Sequence, residues 1–145
     1  SSMGGKLTTP LGGWYHATKY AVEALSDALR MELRPFGIDV VVVEPGGIRT
    51  EWYAIAADHL EATAEGSAYA DQTRAAAGSM RGESNLRRFS PPEVIARTIV
   101  KIVTARHPRT RYAVGFMAKP LIAARQVLPD RAFDRLISAA FGIRR

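Results

Sequence analysis

Residues 38–47 of the chain, IDVVVVEPGG, constrain its fold more than any other segment. Four consecutive valines occupy residues 40–43, and Pro45 with Gly46 stops the apolar run. A strand without polar alternation is buried on both faces, as happens in a parallel sheet that helices cover on both sides. The sequence therefore predicts an α/β fold with a parallel sheet.

A long helix is predicted directly before this strand, within WYHATKYAVEALSDALRMELRPFG, residues 14–37. Leu25 and Leu29 belong to a row of apolar residues at helical spacing, and Pro35 followed by Gly37 ends the pattern. A helix, a short link and a buried strand form half of a βαβ unit.

Further regular elements are predicted after residue 90. Ser90 is the expected N-cap of a helix that runs to about residue 105, with Pro91 at its first position and Glu93 completing a capping box. A short strand at 111–115 and helices near 119–127 and 130–141 follow. Two strands make an incomplete sheet, because a strand buried on both faces needs neighbours for its backbone groups. We expect the others from an N-terminal half that this sequence does not include, or from a partner chain.

Residues 51–90 differ from their surroundings in being rich in Ala, Gly, Ser and charge, with helical patches around 53–64 and 69–77. A segment of this length between regular elements is more often a functional loop than a structural need. We interpret it as a flap that closes over a substrate and excludes water.

The composition excludes several classes of site. The chain has no Cys, and its three His are too scattered for a metal cluster, so we predict neither a disulfide nor a metal site. The absence of Cys suits a reducing compartment, and no apolar run approaches the roughly 20 residues that span a bilayer. A cytoplasmic protein is the expectation.

The net charge of +6 is concentrated towards the C-terminus, where residues 81–145 hold 14 of the 20 basic and 4 of the 14 acidic side chains. These arginines are spread singly and lack the interleaved aromatic residues of a nucleic-acid platform. We predict a solvated basic face and no nucleic-acid partner.

Tyr15 and Lys19 lie one helical turn apart at the start of the predicted helix. Such a pair alone commonly does no more than cover an apolar flank. Here Ser2 precedes Tyr15 by thirteen residues, and the buried strand ends in PGGIRT, residues 45–50. In this order and spacing the chain resembles the second half of a short-chain dehydrogenase/reductase. The resemblance implies that residues 1–145 are the C-terminal part of one NAD(P)-binding domain, with a Rossmann-like, doubly wound parallel sheet and flanking helices.

The resemblance implies a Ser-Tyr-Lys mechanism for reducing a carbonyl or oxidising a secondary alcohol. Tyr15 is implied to give or take the proton, with Lys19 as the cation that favours its phenolate form. Ser2 is implied to polarise the substrate oxygen as a neutral donor, and Ser1 is the adjacent alternative. A nicotinamide cofactor is implied, held by residues of the helix and of the strand end: Tyr15, Lys19, Pro45, Gly46, Gly47, Ile48 and Thr50.

In the family, the residues that distinguish NAD from NADP belong to the N-terminal half, so this chain is compatible with either. Pro45 and the two glycines are expected to let the backbone pass close to the flat nicotinamide ring. The implied substrate is a small carbonyl compound or alcohol, lipophilic if Trp14, Trp52 and Tyr53 line a pocket rather than the core. The resemblance also implies a homo-oligomer, a dimer or a tetramer.

Some alternatives stay open from sequence alone. The basic helical C-terminal extension, residues 116–145, is compatible with a wall of the substrate pocket, an oligomer contact or a contact with a membrane surface. A relative that binds dinucleotide as a sensor or scaffold, without turnover, is the alternative function. Without an N-terminal half, the chain alone is expected to lack full activity.

Overall fold

A computed structural model describes residues 1–143, except for the side chain of Asn85. The order of elements is that of an α/β protein. The helices are α1 (Gly13–Leu33), α2 (Trp52–Ala64), α3 (Ala70–Arg81), α4 (Glu83–Arg88), α5 (Glu93–Thr104), α6 (Ala118–Val127) and α7 (Asp130–Ala140). The strands are β1 (Val42–Pro45) and β2 (Arg111–Val114), and 3-10 turns lie at Met3–Gly5 and Arg34–Phe36.

The predicted α/β fold with a parallel sheet is confirmed. β1 and β2 pair in parallel, with Val42 opposite Arg111 and Pro45 opposite Val114. β1 begins later than the valine run predicts, because its partner supplies only four residues for pairing. Within residues 1–143 the sheet has two strands, so the other edge of β1 has no partner strand there.

The long predicted helix is confirmed as α1. It ends where Pro35 opens a 3-10 turn, and Gly37 then adopts φ 71° in the left-handed region, which costs glycine little. The chain can therefore reverse from α1 into β1 within a few residues.

The capping box predicted at Ser90 is wrong. α5 begins at Glu93 with Pro92 at its N-cap position, and no side chain caps it. Ser90 instead uses its backbone beside the loop after β1: its N–H donates to Gly47 O at 3.1 Å, and its carbonyl accepts from Arg49 N–H at 2.9 Å. The extended backbone of this bridge places Ser90 too early to cap the helix, so the tertiary contact overrides the local signal.

Residues 51–90 form three helices, α2, α3 and α4. The predicted helical patch at 53–64 matches α2, and the second patch continues beyond residue 77 to the end of α3 at Arg81. Small buried residues, Ala57 on α2 and Ala76 and Ala77 on α3, let these two helices pack closely. Arg81 also bonds Glu61 of α2 at 2.8 Å.

The C-terminal helices pack onto the first residues of the chain. Leu7, 1% exposed, forms a core cluster with Phe133 and Ile137 of α7, and Phe141 packs against this cluster. Burying each of the two α7 side chains contributes about 1.5–3 kcal/mol. The predicted extension at 116–145 is described as far as residue 143, and Arg144 and Arg145 lie outside the described residues. In that part of the chain, every helix falls short of the length and hydropathy needed to cross a membrane.

Candidate active site

A cavity of about 450 Å³ lies where β1 ends, between the first residues of the chain, α1, α2 and α3. This volume is within the range of ligand-binding pockets. Most of the sequence-predicted site residues line it, namely Ser2, Tyr15, Lys19, Pro45, Gly46, Ile48 and Thr50. Gly47 is not among the lining residues. One cavity therefore brings together groups that are up to 48 residues apart in sequence, from Ser2 to Thr50.

Tyr15 and Lys19 lie in the first two turns of α1, on one face of the helix. Lys19 Nζ is 5.5 Å from the centroid of the Tyr15 ring. At this distance the ammonium interacts favourably with the ring. The pair therefore presents a phenol and a positive charge to the same cavity.

Ser2 is positioned by two hydrogen bonds. Its Oγ accepts from Gly4 N–H at 3.0 Å, which caps the first 3-10 turn, and donates to Pro45 O at 3.4 Å. The first segment of the chain is thereby held against the end of β1. Ser1 also lines the cavity, as the adjacent alternative to Ser2. The Ser2 hydroxyl can turn to donate to a ligand in the cavity, because its bond to Pro45 O is long at 3.4 Å.

The loop after β1 is hydrogen-bonded to Ser90 along one side. Gly47 O and Arg49 N–H both bond Ser90, at 3.1 and 2.9 Å. Backbone groups of successive residues in an extended segment point to opposite sides, so the amide and carbonyl of Ile48 face away from Ser90. Ile48 lines the cavity. The bridge to Ser90 therefore uses neither the amide nor the carbonyl of this residue.

The two glycines of this loop, Gly46 and Gly47, lie so close to other parts of the protein that a side chain at either position would clash. A Cβ on Gly46 would lie 2.3 Å from Phe116 O and 2.8 Å from Ala118 N. On Gly47 it would lie 2.6 Å from the Phe89 ring. All three distances are shorter than van der Waals contact, so larger residues would push the loop out of place. These contacts are to the chain itself, and close approach of the loop to a cofactor ring stays a prediction.

His16 is a site residue that the sequence did not single out. It is buried, and its ring spans two loop segments: Nδ1–H donates to Gly4 O at 2.9 Å, and Nε2 accepts from Thr9 N–H at 3.0 Å. Because Nε2 accepts a backbone N–H, the ring is neutral with its proton on Nδ1. A lone His next to Tyr15 gave no signal in the sequence, since its partners come from a loop of irregular structure.

Aromatic rings continue from Tyr15 along one side of the cavity. The centroid distances are 5.3 Å from Tyr15 to Trp52, 5.0 Å from Trp52 to Tyr53 and 4.6 Å from Tyr53 to Phe89. Burial, and next the neighbouring Tyr15, raises the pKa of Tyr53 to about 12. Tyr53 is therefore a neutral phenol at physiological pH. Trp14 is 90% exposed and is not among the cavity-lining residues, unlike Trp52 and Tyr53.

A buried ionic cluster lies behind the site and joins α1 to both strands. Glu23 Oε2 is 2.8 Å from Lys6 Nζ and 3.0 Å from Arg111 Nε, which also lies 3.4 Å from Glu44 Oε1. Burial and the charge of Glu23 raise the pKa of Glu44 above its ordinary range. For Glu23, burial works to raise the pKa, but hydrogen bonds from Lys6, Ser1 and Arg111 outweigh it and lower the pKa. Glu44 directly precedes the Pro45 that Ser2 contacts.

Comparison with known proteins gives concordant matches. A family model described as short chain dehydrogenase matches residues 1–60. A probable short-chain type dehydrogenase/reductase of Helicobacter pylori is 33% identical over 136 residues, which are 94% of this chain and 49% of that protein. An NADPH-dependent 3-dehydrocapnine reductase of Ornithobacterium rhinotracheale is 32% identical over 94% of this chain and 47% of its own. A 3-ketodihydrosphingosine reductase of Bacteroides thetaiotaomicron is 32% identical over 99% of this chain and 53% of its own. The chain spans about half the length of these relatives.

Proposed function

The chain belongs to the short-chain dehydrogenase/reductase family, and on that premise we propose that the protein is an NAD(P)-dependent oxidoreductase that interconverts a carbonyl group and a secondary alcohol. The observation that carries the proposal is the convergence of Ser2, Tyr15 and Lys19 on one cavity at the end of β1. Ligands of open α/β sheets bind beyond the carboxyl ends of the strands, which is where this cavity lies.

The residues present fit a nicotinamide cofactor. Ile48 lines the cavity, and the bridge to Ser90 does not use its amide and carbonyl, so these groups can bond a carboxamide. The Lys19 ammonium has three donors, which suit ribose hydroxyls. Thr50 also lines the cavity. When bound, the cofactor supplies or accepts the hydride.

The proton chemistry falls to the protein. In the reducing direction, Tyr15 donates its phenolic proton to the oxygen that gains negative charge, and the Ser2 hydroxyl donates a hydrogen bond to the same oxygen. Lys19 stabilises the phenolate that Tyr15 becomes. Tyr53 lines the same cavity, but its raised pKa makes it a poor alternative for this role.

A lipophilic substrate fits the lining best. Apart from the polar groups around Tyr15, the wall is mainly aliphatic and aromatic, with Trp52 and Tyr53 beside Tyr15. We propose residues 51–90, which contribute α2 and α3 to this wall, as the flap over the substrate. The names of two relatives, a 3-dehydrocapnine reductase and a 3-ketodihydrosphingosine reductase, describe the reducing direction, which we also propose for this protein.

The test is Tyr15→Phe in the natural full-length protein, with turnover followed by nicotinamide absorbance over a panel of ketones and alcohols. We expect turnover to fall by at least about 100-fold, as is typical when a general acid is lost. Cofactor binding, measured by fluorescence of the reduced nicotinamide, should be nearly unchanged. Tyr20→Phe is the matched control, because Tyr20 lies on the same helix, is exposed and is not among the cavity-lining residues.

Two results would contradict the proposal. Retained turnover in the Tyr15 variant would reject the role of that phenol. Dinucleotide binding by the unmodified protein, without turnover of any carbonyl or alcohol, would instead favour the sensor or scaffold alternative.

A further inference from the structure

The cavity has an apolar end formed by three helical segments, including the end of α7. We propose that this end is a slot for the aliphatic chain of the substrate and that Phe141, with Leu60 and Met80, sets the chain length that fits. The inference rests on the proposed carbonyl reduction and goes further by naming the class of substrate, a ketone or secondary alcohol that carries an aliphatic chain.

The direction of the slot follows from α2. Trp52, Ala56 and Leu60 all line the cavity, and their spacing of four residues places them on one face of the helix. The Trp52 ring lies 5.3 Å from the Tyr15 ring, so the start of α2 is beside the reacting groups. Leu60 is eight residues further along, which is about 12 Å at 1.5 Å per residue. The cavity therefore extends from Tyr15 along α2.

The opposite wall comes from α3 and has the same pattern. Ala76 and Met80 line the cavity at a spacing of four residues. Small side chains, Ala56 and Ala76, thus face the slot on each helix, and a larger one, Leu60 or Met80, lies on the same face. Ala56, which is only partly buried, leaves room for a ligand beside α2, whereas Leu60 and Met80 narrow that space.

Phe141 closes the cavity from a third side. It directly follows α7, and its N–H donates to Ile137 O at 3.1 Å. The neighbouring Ala140 O accepts from Ser79 Oγ of α3 at 3.2 Å, which fixes the end of α7 against α3. Phe141 also packs against the core cluster of Leu7, Phe133 and Ile137. A ring held in this way is a stable stop for a ligand chain.

The chemistry of this end selects the ligand. Leu60, Ala76, Met80 and Phe141 carry no charge and no strong hydrogen-bonding group, so a polar substituent placed there would lose its water without compensation. Each methylene that an alkyl chain buries raises its binding affinity about fourfold, which corresponds to about 0.8 kcal/mol. Specificity for an aliphatic chain of limited length follows.

The experiment measures kcat/KM of the natural full-length protein for unbranched methyl ketones of increasing length. For the unmodified protein we expect a rise of about fourfold per methylene until the chain meets Phe141, and then a plateau or a fall. Phe141→Ala should move the optimum to longer ketones, and Ala56→Phe should move it to shorter ones. Leu136→Ala on α7 and Ala54→Phe on α2 are the matched controls, since both residues are exposed and neither is among the cavity-lining residues.

Affinity for the same ketones, read from tryptophan fluorescence, separates the two proposals. Turnover with no dependence on chain length, or an optimum that neither variant moves, would overturn the slot and leave the oxidoreductase intact. Length-dependent affinity without any turnover would support the slot and reject the proposed activity. Circular dichroism of each variant shows whether it is folded, and if Phe141→Ala is unfolded, the shift in Ala56→Phe decides.

Discussion

At the scale of single residues, the arrangement of the site depends on His16. Its ring ties the segment that carries Ser2 to the helix that carries Tyr15, because Gly4 lies in that segment and Nδ1–H donates to Gly4 O. Nε2 holds Thr9 from the other side. The distance between the serine and the tyrosine is therefore set by a neutral imidazole that lines the cavity beside them.

We expect His16→Leu to lower both stability and turnover. The change leaves the buried Gly4 O without a partner, at a cost of about 1–3 kcal/mol, and removes the partner of the partly buried Thr9 N–H. Urea denaturation gives the loss in the free energy of unfolding, and kcat with a good substrate gives the loss of positioning. His16→Gln, whose amide has both a donor and an acceptor, should recover part of each.

The control for this prediction is the same substitution at His59, which is exposed on α2. His59→Leu should change stability by less than about 0.5 kcal/mol. Equal losses in the two variants would mean that the hydrogen bonds of His16 contribute nothing specific.

At the scale of elements, the ionic cluster joins α1, β1 and β2. Arg111 of β2 reaches Glu23 at 3.0 Å and Asp27 at 2.7 Å, both on α1, and Lys6 lies 2.8 Å from Glu23. Hydrogen bonds from Arg30 and Arg111 lower the pKa of Asp27 to about 2. Glu44 of β1 is the member whose negative charge is poorly compensated, because burial and Glu23 both oppose its ionisation.

Glu44→Gln should therefore stabilise the protein at neutral pH. A raised pKa means that the folded state binds the proton more tightly than the unfolded state, so the stability contributed by protonated Glu44 is lost as pH rises from about 4.5 through the folded pKa. The gain of the variant over the unmodified protein should shrink as the pH falls towards that range. Urea denaturation of both proteins at a series of pH values measures this difference in the free energy of unfolding.

Glu23→Gln, in the same cluster, should change the free energy of unfolding in the opposite direction. The lowered pKa of Glu23 means that its contribution is present above about pH 4.5 and is lost as pH falls through the folded pKa. This variant should be destabilised at neutral pH. If Glu44→Gln were also destabilised there, with no dependence on pH, the assignment of Glu44 as the costly charge would be wrong.

At the scale of the whole molecule, α1 has an apolar face that residues 1–143 do not cover. Leu25 is 64% exposed and Leu29 44% exposed, and they lie one turn apart. In the described part of the chain the sheet also has an uncovered side, because one edge of β1 has no partner strand there. An apolar surface of this kind favours association with further protein.

We expect the 145-residue chain, prepared alone, to self-associate. Sedimentation velocity should show species heavier than 15.8 kDa. The double variant Leu25→Glu, Leu29→Glu should shift them towards the monomer. Leu136→Glu, at a residue of α7 that is 46% exposed, is the control and should leave the distribution unchanged. A monodisperse 15.8 kDa species from the unmodified chain would contradict the expectation.

The sequence by itself determined the α/β class, the long helix before the valine strand and the parallel pairing of the strands. Through the resemblance it also proposed Ser2, Tyr15 and Lys19 as site residues. The class, the helix and the strand pairing follow from short-range physics, namely apolar periodicity and proline and glycine stops. The same local reasoning failed at Ser90, where a backbone bridge to Gly47 and Arg49 replaced the helix cap.

Only the tertiary structure decided the contacts made between distant segments. It placed His16 between Gly4 and Thr9, filled the space beside Gly46 and Gly47 with Phe116 and Phe89, and brought Phe141 to a cavity that begins at Ser2. None of these contacts has a periodic or local signature, because each depends on packing between elements that are far apart in sequence. The sequence therefore indicates the site residues through a resemblance, and the packing of α2, α3 and α7 shapes the cavity that we propose for the substrate.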